Sequence, residues 1–460
     1  MPSYKELISS HITALTSAAV GVITLHKIYK WHMRRKRLHE LTTNFAKVDL
    51  LPSEKAFVIC SSVSTSTVTF FEGDVQAAKE YFSERIVMIL NANRWLDGCL
   101  DHDENGDIAL FVPKETNSTE VNNSIFQVLE LKESLPTHYH TMIDTLASAA
   151  MCGNTFETLG TNDPLWKATL IPNGLNRFAL VVSANHSFLD GHGFYKIYNM
   201  LSEDQEIQSL SPKRKIEIPQ KIEEAMGSEK SILAEPAPGF TFRFLYGVFK
   251  NAIFPRTKSF GFQISPSWIQ EQKSKALSDG ENQVAFVSTN DLVVSQFCNS
   301  LKCDLAVMAI NFRGRVDNCG ESDVGNYEEL IAYTKQDYKF PALIRKSISA
   351  PPYRRAGNGH MPTNKEHLSC TYGAITNWAT FAKELKIGNT TGDGEEIIKQ
   401  ALHIPLFDFP KSTPACIFGA IVIFKPKEGS VGALVAGKQE LIDAIKGSGM
   451  VGQSLEDFEF

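Results

Sequence analysis

The stretch that decides the fold is Phe178-Ala-Leu-Val-Val-Ser-Ala-Asn-His-Ser-Phe-Leu-Asp-Gly-His-Gly193. Phe178 to Ala184 is a nearly continuous apolar run, β-branched at its centre, as expected of a strand buried on both faces. The run stops at Asn185-His186, glycines follow at Gly191 and Gly193, and Phe194, Ile197, Tyr198 and Leu201 then recur at helical spacing. A titratable His186 therefore stands where a core strand gives way to a glycine-rich turn. Reactive side chains are often carried on loops that a rigid element positions.

The chain around it has 460 residues, enough for two core-bearing domains, and its 43% apolar and 21% charged residues are those of an ordinary globular protein. A net charge of −6 and the lack of a basic stripe in the body exclude nucleic acid as an expected partner. The eight cysteines form no CxxC pair, which points to a reducing compartment with buried thiols, without a zinc site or disulfide framework.

At the N-terminus, Leu7 to Leu25 holds no Asp, Glu, Lys or Arg and would span roughly 28 Å as a helix. Tyr29, Trp31 and the basic run Lys27, Lys30, Arg34 to Arg37 follow it. Residues 1–40 are therefore expected to be a membrane anchor or targeting segment. Membrane association runs through residues 7–28, and the catalytic body faces the cytoplasm. Ser9, Ser10, His11, Thr13, Thr16, Ser17 and Thr24 dilute the span, so an amphipathic surface helix is the alternative.

Residues 41–205 read as a first domain, 206–258 as a crossover linker and 259–460 as a second domain. Strands are expected at Ala56–Val63 and Ile108–Val112, with a helix over Asp74–Leu90 capped by Asp74. Trp95 and Leu96 are expected to pack a turn against the core. Residues 203–235 are polar, as in a surface linker. Pro236–Pro255 is crowded with Phe and reads as a crossover helix buried between domains, ahead of a membrane- or substrate-facing segment. Further on, Ser265-Pro266 and Ser288-Thr-Asn-Asp start helices, and Val284–Val287, Asp304–Asn311, Cys416–Phe424 and Val431–Ala436 are expected strands before a closing helix near Lys438–Ile445.

His186-Ser-Phe-Leu-Asp190-Gly191 resembles the HxxxDG motif of the CoA-dependent acyltransferase superfamily, which includes chloramphenicol acetyltransferase, the plant BAHD enzymes, alcohol O-acetyltransferases and peptide-synthetase condensation domains. The ordered series Ser288-Thr-Asn-Asp, Asn311-Phe-Arg-Gly-Arg, Gly325-Asn326 and Thr376-Asn-Trp378 is similar to motifs of the same superfamily. The resemblance covers roughly residues 45 to 450. The plant DFGWG is absent, its nearest counterpart being Leu406-Phe-Asp-Phe-Pro410, so the chain is not a standard plant BAHD member.

The resemblance implies an α/β fold of two chloramphenicol acetyltransferase-like domains, each a mixed sheet with helices, and an active-site tunnel between them. It implies an acyltransferase for groups other than aminoacyl. Acyl-CoA is the co-substrate, with no permanently bound cofactor, and the acceptor is a small-molecule or lipid-like alcohol or amine. A monomer is expected. His186 is the candidate general base, because a neutral imidazole accepts the acceptor's proton near pH 7. Asp190 is implied to pair with Arg313 and shape the loop, with Gly191 allowing a tight turn. Thr289, Asn290, Asn377 and Trp378 are candidate substrate or oxyanion contacts. No G-x-S-x-G elbow offers a covalent nucleophile. His186, Asp190 and His192 lack the further ligand that a metal site needs, so no metal is expected. Two other readings stay open: a catalytically silent binding protein of this fold, and a condensation-type enzyme using carrier-protein thioesters.

Overall fold

The computed structural model describes residues 32–455 apart from 60–63, 115–122, 137, 234, 255–256, 279–283, 389–397 and 408–416. Three sheets organise them. The first runs in the order Lys399–Pro405, Thr65–Glu72, Arg177–Ala184, Trp166–Pro172, Phe126–Val128. Its pairings are antiparallel except for the parallel contact of Phe126–Val128 with Trp166–Pro172. The second runs Glu328–Thr334, Leu305–Asn311, Tyr372–Asn377, Phe418–Phe424, Gly432–Gly437, Lys258–Ile264, Val451–Ser454, and Tyr372–Asn377 lies parallel to both of its neighbours. A small antiparallel sheet of Phe45–Asp49, Ile108–Pro113 and Cys99–His102 flanks the first. This is the expected mixed α/β architecture of two sheets with helices.

Arg177–Ala184 sits at the centre of the first sheet, and from Phe178 onward every residue of it is buried. Its Phe178 stacks on Phe71 at 4.9 Å and meets the helix Val75–Ala92 through Phe82. Burying side chains of this size contributes roughly 1.5–3 kcal/mol each. Asp74 caps that helix by accepting from Ala77 N at 2.6 Å. Trp95 and Leu96 are buried in the turn that follows it.

The partner strand Thr65–Glu72 is not among the strands expected from the sequence. Its hydroxyls are buried, and two of them pair inside the sheet: Ser66 Oγ with Ser183 Oγ at 2.7 Å, and Thr69 Oγ1 with His403 Nδ1 at 2.8 Å. His403 arrives on Lys399–Pro405, a strand from late in the chain that joins the first sheet. Its Nδ1 also meets Tyr198 OH at 3.1 Å and its Nε2 meets Tyr195 OH at 3.0 Å, which ties the helix Gly191–Asn199 to the sheet. Burial pushes His403 down to about 3, so the ring is neutral.

Several expectations are corrected. Ala56–Val63 is not a strand: residues 52–59 form a helix led by Pro52 at its start, whose fixed φ suits the first helical turn. Residues 284–287 belong to no strand, with Val287 buried and Phe286 exposed under the Arg345 guanidinium at 4.7 Å. The polar stretch 203–235 is no mere surface linker, since Leu210, Arg214, Ile218, Ile222 and Met226 are buried. The crossover helix Pro238–Ile253 is not buried between domains. Phe240 and Phe244 pack on Tyr372 and Phe418, while Phe242, Leu245, Phe249 and Ile253 stand exposed on the other side.

Among the described residues no helix is long and apolar enough to cross a membrane. This corrects the transmembrane helix and the membrane-associated, cytoplasm-facing localisation expected from residues 7–28. That stretch is diluted by hydroxyl-bearing residues and lies outside the described residues.

Candidate active site

The strand Arg177–Ala184 delivers His186 into the seam between the first and second sheets. Asn185 closes the strand end: its N–H donates to Leu165 O at 2.7 Å, and its side chain joins Thr158 and Ser187. Behind the imidazole lies Phe57, ring centroids 4.8 Å apart. The main-chain carbonyl of His186 accepts from Asn326 Nδ2 at 3.0 Å, so Gly325-Asn326 grips the residue from the second sheet's side. Among the described residues, buried Nδ1 has no hydrogen-bond partner. Nε2 lies 3.9 Å from Glu328 Oε1, and a quarter of the side chain stays open to solvent. Burial lowers the pKa of His186 from the ordinary histidine value, and its own main chain, Asp190, Asn326 and Glu54 only partly restore it. The ring is neutral near pH 7.

Asp190 turns away from His186. It caps the helix Gly191–Asn199, accepting from Gly193 N at 2.9 Å, and the helix N-terminus favours its charge. Arg313 meets both carboxylate oxygens, NH1 to Oδ2 at 2.7 Å and NH2 to Oδ1 at 3.3 Å, and Tyr327 N adds a fourth donor. Arg313 spends its remaining donors on Asp323 O, Gly325 O and Asn311 Oδ1. Although burial works to raise the Asp190 pKa, Arg313 outweighs it and holds the carboxyl below the usual carboxylate range. The pair is a bidentate clamp between the HxxxDG loop and the end of strand Leu305–Asn311. Gly193 has no room for a side chain, since a Cβ there would lie 2.4 Å from Leu189 Cδ1.

A second buried clamp escaped the sequence reading. Arg214 lies against Glu54, NH2 to Oε1 at 3.0 Å, and donates to Phe188 O at 2.7 Å. Glu54 also accepts from Leu51 N and Asn326 N. This clamp joins the helix 52–59, the 214 segment, the HxxxDG loop and Gly325-Asn326. The two charges are 160 residues apart, so no local pattern marks them as partners.

The remaining candidates fall into two groups. Gly191 and Trp378 face each other: a Cβ on Gly191 would lie 3.2 Å from Trp378 Nε1. With Asp190, Asn311, Glu328 and Asn377 they line a niche of about 30 Å³. Asn290 stands behind the niche, accepting from Asn377 Nδ2 at 3.0 Å, and Thr289 is the half-buried first residue of its helix. His192, Asn311 and Phe381 line both the niche and a larger cavity of about 510 Å³, whose walls also carry Lys196, Gln205 and Lys383. Among the described residues no cluster of His, Cys, Asp or Glu is placed to hold a metal. In the HxxxDG turn itself Asp190 is taken by Arg313, and His192 Nε2 points to Glu321 O at 3.3 Å.

Glu328, two residues past Asn326, was also missed. Burial, reinforced by Asp190, pushes its carboxyl up to about 8 despite the nearby Arg313. Nothing in Gly325-Asn-Tyr-Glu signals that this strand's first residue faces the imidazole.

No protein-family model matches the chain, and no curated protein sequence does either. Solved structures do. F. graminearum TRI101 complexed with coenzyme A and T-2 mycotoxin matches at TM-score 0.54 and 14% identity, covering 89% of this chain and 99% of that one. The trichothecene 15-O-acetyltransferase TRI3 from Fusarium sporotrichioides matches at 0.56 and 10%, covering 91% and 97%. The first condensation domain of the calcium-dependent antibiotic synthetase matches at 0.53 and 10%, covering 87% and 94%. At such identities the likeness is one of fold. It is the fold that the HxxxDG series implied.

Proposed function

We propose that the protein is an acyl-CoA-dependent acyltransferase with His186 as general base, acting on a hydroxyl or amine acceptor. The observation that carries this is a neutral imidazole with an open Nε2, fixed through its own carbonyl at the end of a buried strand, in a fold shared with proteins crystallised with coenzyme A. In this reading the acceptor's O–H or N–H proton passes to Nε2 as the heteroatom attacks the thioester carbonyl. Trp378 Nε1, at the niche wall, is the candidate donor for the oxyanion, with Asn377 held beside it by Asn290 and Thr289 opening the Asn290 helix. The Asp190–Arg313 clamp does no proton transfer: it keeps the loop, and hence His186, in place. This reading puts the coenzyme in the larger cavity next to the niche, whose walls carry Lys383 and a Lys196 paired with Glu321.

The test is thiol release from a panel of acyl-CoAs with mixed alcohol and amine acceptors, in the wild type and in His186→Ala. Acceptor-dependent release that falls by at least about 100-fold in the variant supports the base assignment. Equal release in both removes it. A panel that never turns over but still raises the melting temperature of both forms favours the binding-protein reading.

A further inference from the structure

We propose that Glu328 is a second acid–base residue of this site, donating a proton to the leaving thiol and recovering it from His186. The inference rests on the acyl-transfer reading. Its geometric basis is the contrast with the other buried carboxylates around it. Asp190 has four polar contacts, and Glu54 is saturated by Arg214, Leu51 and Asn326. Among the described residues the Glu328 carboxyl accepts no hydrogen bond. Its nearest polar partner is His186 Nε2 at 3.9 Å, too far for a hydrogen bond and close enough for a side-chain movement of about 1 Å to make one.

Its placement gives the carboxyl two faces. One points to the base, and the other walls the niche shared with Gly191, Asn377 and Trp378, and that niche shares His192, Asn311 and Phe381 with the large cavity beside it. Glu328 thus lies between the imidazole and the space assigned to the coenzyme. A niche of about 30 Å³ accepts one polar atom of a substrate or one water. The charged and titratable groups that face Glu328 are His186, Asp190, Arg313, His192 and the adjoining Glu329. Burial and Asp190 outweigh Arg313, so the carboxyl is mainly protonated at pH 7 and can donate.

The balance of the step is complete without any further reactant. The acceptor's X–H bond breaks, its proton goes to Nε2, the heteroatom bonds to the thioester carbon, and the carbonyl π pair moves onto oxygen. That pair then returns, the C–S bond breaks, and the sulfur takes the Glu328 proton to leave as a neutral thiol. The imidazolium finally returns its proton to the Glu328 carboxylate, resetting both groups.

Glu328→Gln keeps the shape of the side chain and removes the acid. With acyl-CoA donors we expect kcat to fall by at least about 100-fold with KM little changed, and the alkaline limb of the rate profile near pH 8 to vanish. With the S-phenyl thioester of the same acyl group, whose thiolate leaves without a proton, most of the activity should remain. An equal loss with both donors assigns Glu328 a structural role and overturns the proposal.

Nitrogen-15 spectra of the histidine-labelled protein provide a readout that needs no turnover, with His186→Ala identifying the signal. Wild-type His186 should show a second inflection between about pH 7 and 9, absent in Glu328→Gln. A single inflection, identical in both proteins, overturns the proposal. A wild type that shows the second inflection but transfers no acyl group removes the functional reading and leaves the pairing of Glu328 with His186 standing.

Discussion

Two kinds of buried charge meet at this seam, and they differ in how completely they are answered. Asp190–Arg313 and Glu54–Arg214 are saturated with hydrogen bonds from loops, strand ends and main-chain amides. His186–Glu328 is the reverse: among the described residues Nδ1 of the ring has no hydrogen-bond partner, and the carboxyl stands 3.9 Å from Nε2. Saturated pairs hold a single arrangement, because any movement strands a buried charge. Under-satisfied groups retain the freedom to exchange protons with something not yet bound. The difference separates the scaffold of the site from its chemistry.

Breaking the saturated side should give the largest effect. Arg313→Ala strands the Asp190 carboxylate and is expected to cost about 3–5 kcal/mol of stability, read as a lower denaturation midpoint in urea. A loss below about 1 kcal/mol would show that the clamp is not needed to hold the loop.

The next effect builds only on acidification and comes from His403, buried and hydrogen-bonded but neutral. Its folded-state pKa is pushed down to about 3, against about 6.5 when unfolded, so the unfolded chain binds the extra proton between those values. Its contribution is present above pH 6.5 and is lost as the pH falls toward 3, by about 1.4 kcal/mol per pH unit. Melting curves should therefore decline on acidification below pH 6.5, and His403→Gln should flatten the decline. An unchanged slope in the variant would place the acid sensitivity elsewhere.

A linkage of opposite sign sharpens the comparison from the other side. Glu328 has a raised folded pKa, about 8 against an ordinary 4.5, so its stabilising contribution is full below pH 4.5 and is lost as the pH rises through 8. Glu328→Gln should match the wild type at pH 4 and be more stable than it at pH 8, read as an excess in Tm that grows between those pH values. A residue kept for stability would do the opposite.

What the sequence made legible follows the same division. The apolar run Phe178–Ala184, the Asp74 cap and the Ser288 capping box carry local signals, and the structure places each near its expected position. Thr65–Glu72 hid because its Ser and Thr look like loop residues until Ser183 and His403, from distant strands, meet Ser66 and Thr69. Residues 52–59 contain an apolar run that reads equally well as strand, and the fold makes it a helix whose inward face puts Val58 in the core and Glu54 against Arg214. The Asp190–Arg313 pairing was reachable only through the motif resemblance, since 123 residues separate the two. Glu328 had no motif to announce it. Its significance arises from the imidazole that another sheet brings within 4 Å.

The central claim is that a neutral His186 removes the acceptor's proton, and the dependence of kcat/KM on pH tests it most directly. With acyl-CoA saturating and the acceptor varied, kcat/KM should fall tenfold per pH unit below the depressed pKa of His186, under the ordinary value of 6.5, and His186→Gln should lose both the activity and that limb. An acid limb centred at or above the ordinary 6.5, or one that persists unchanged in His186→Gln, would contradict the account.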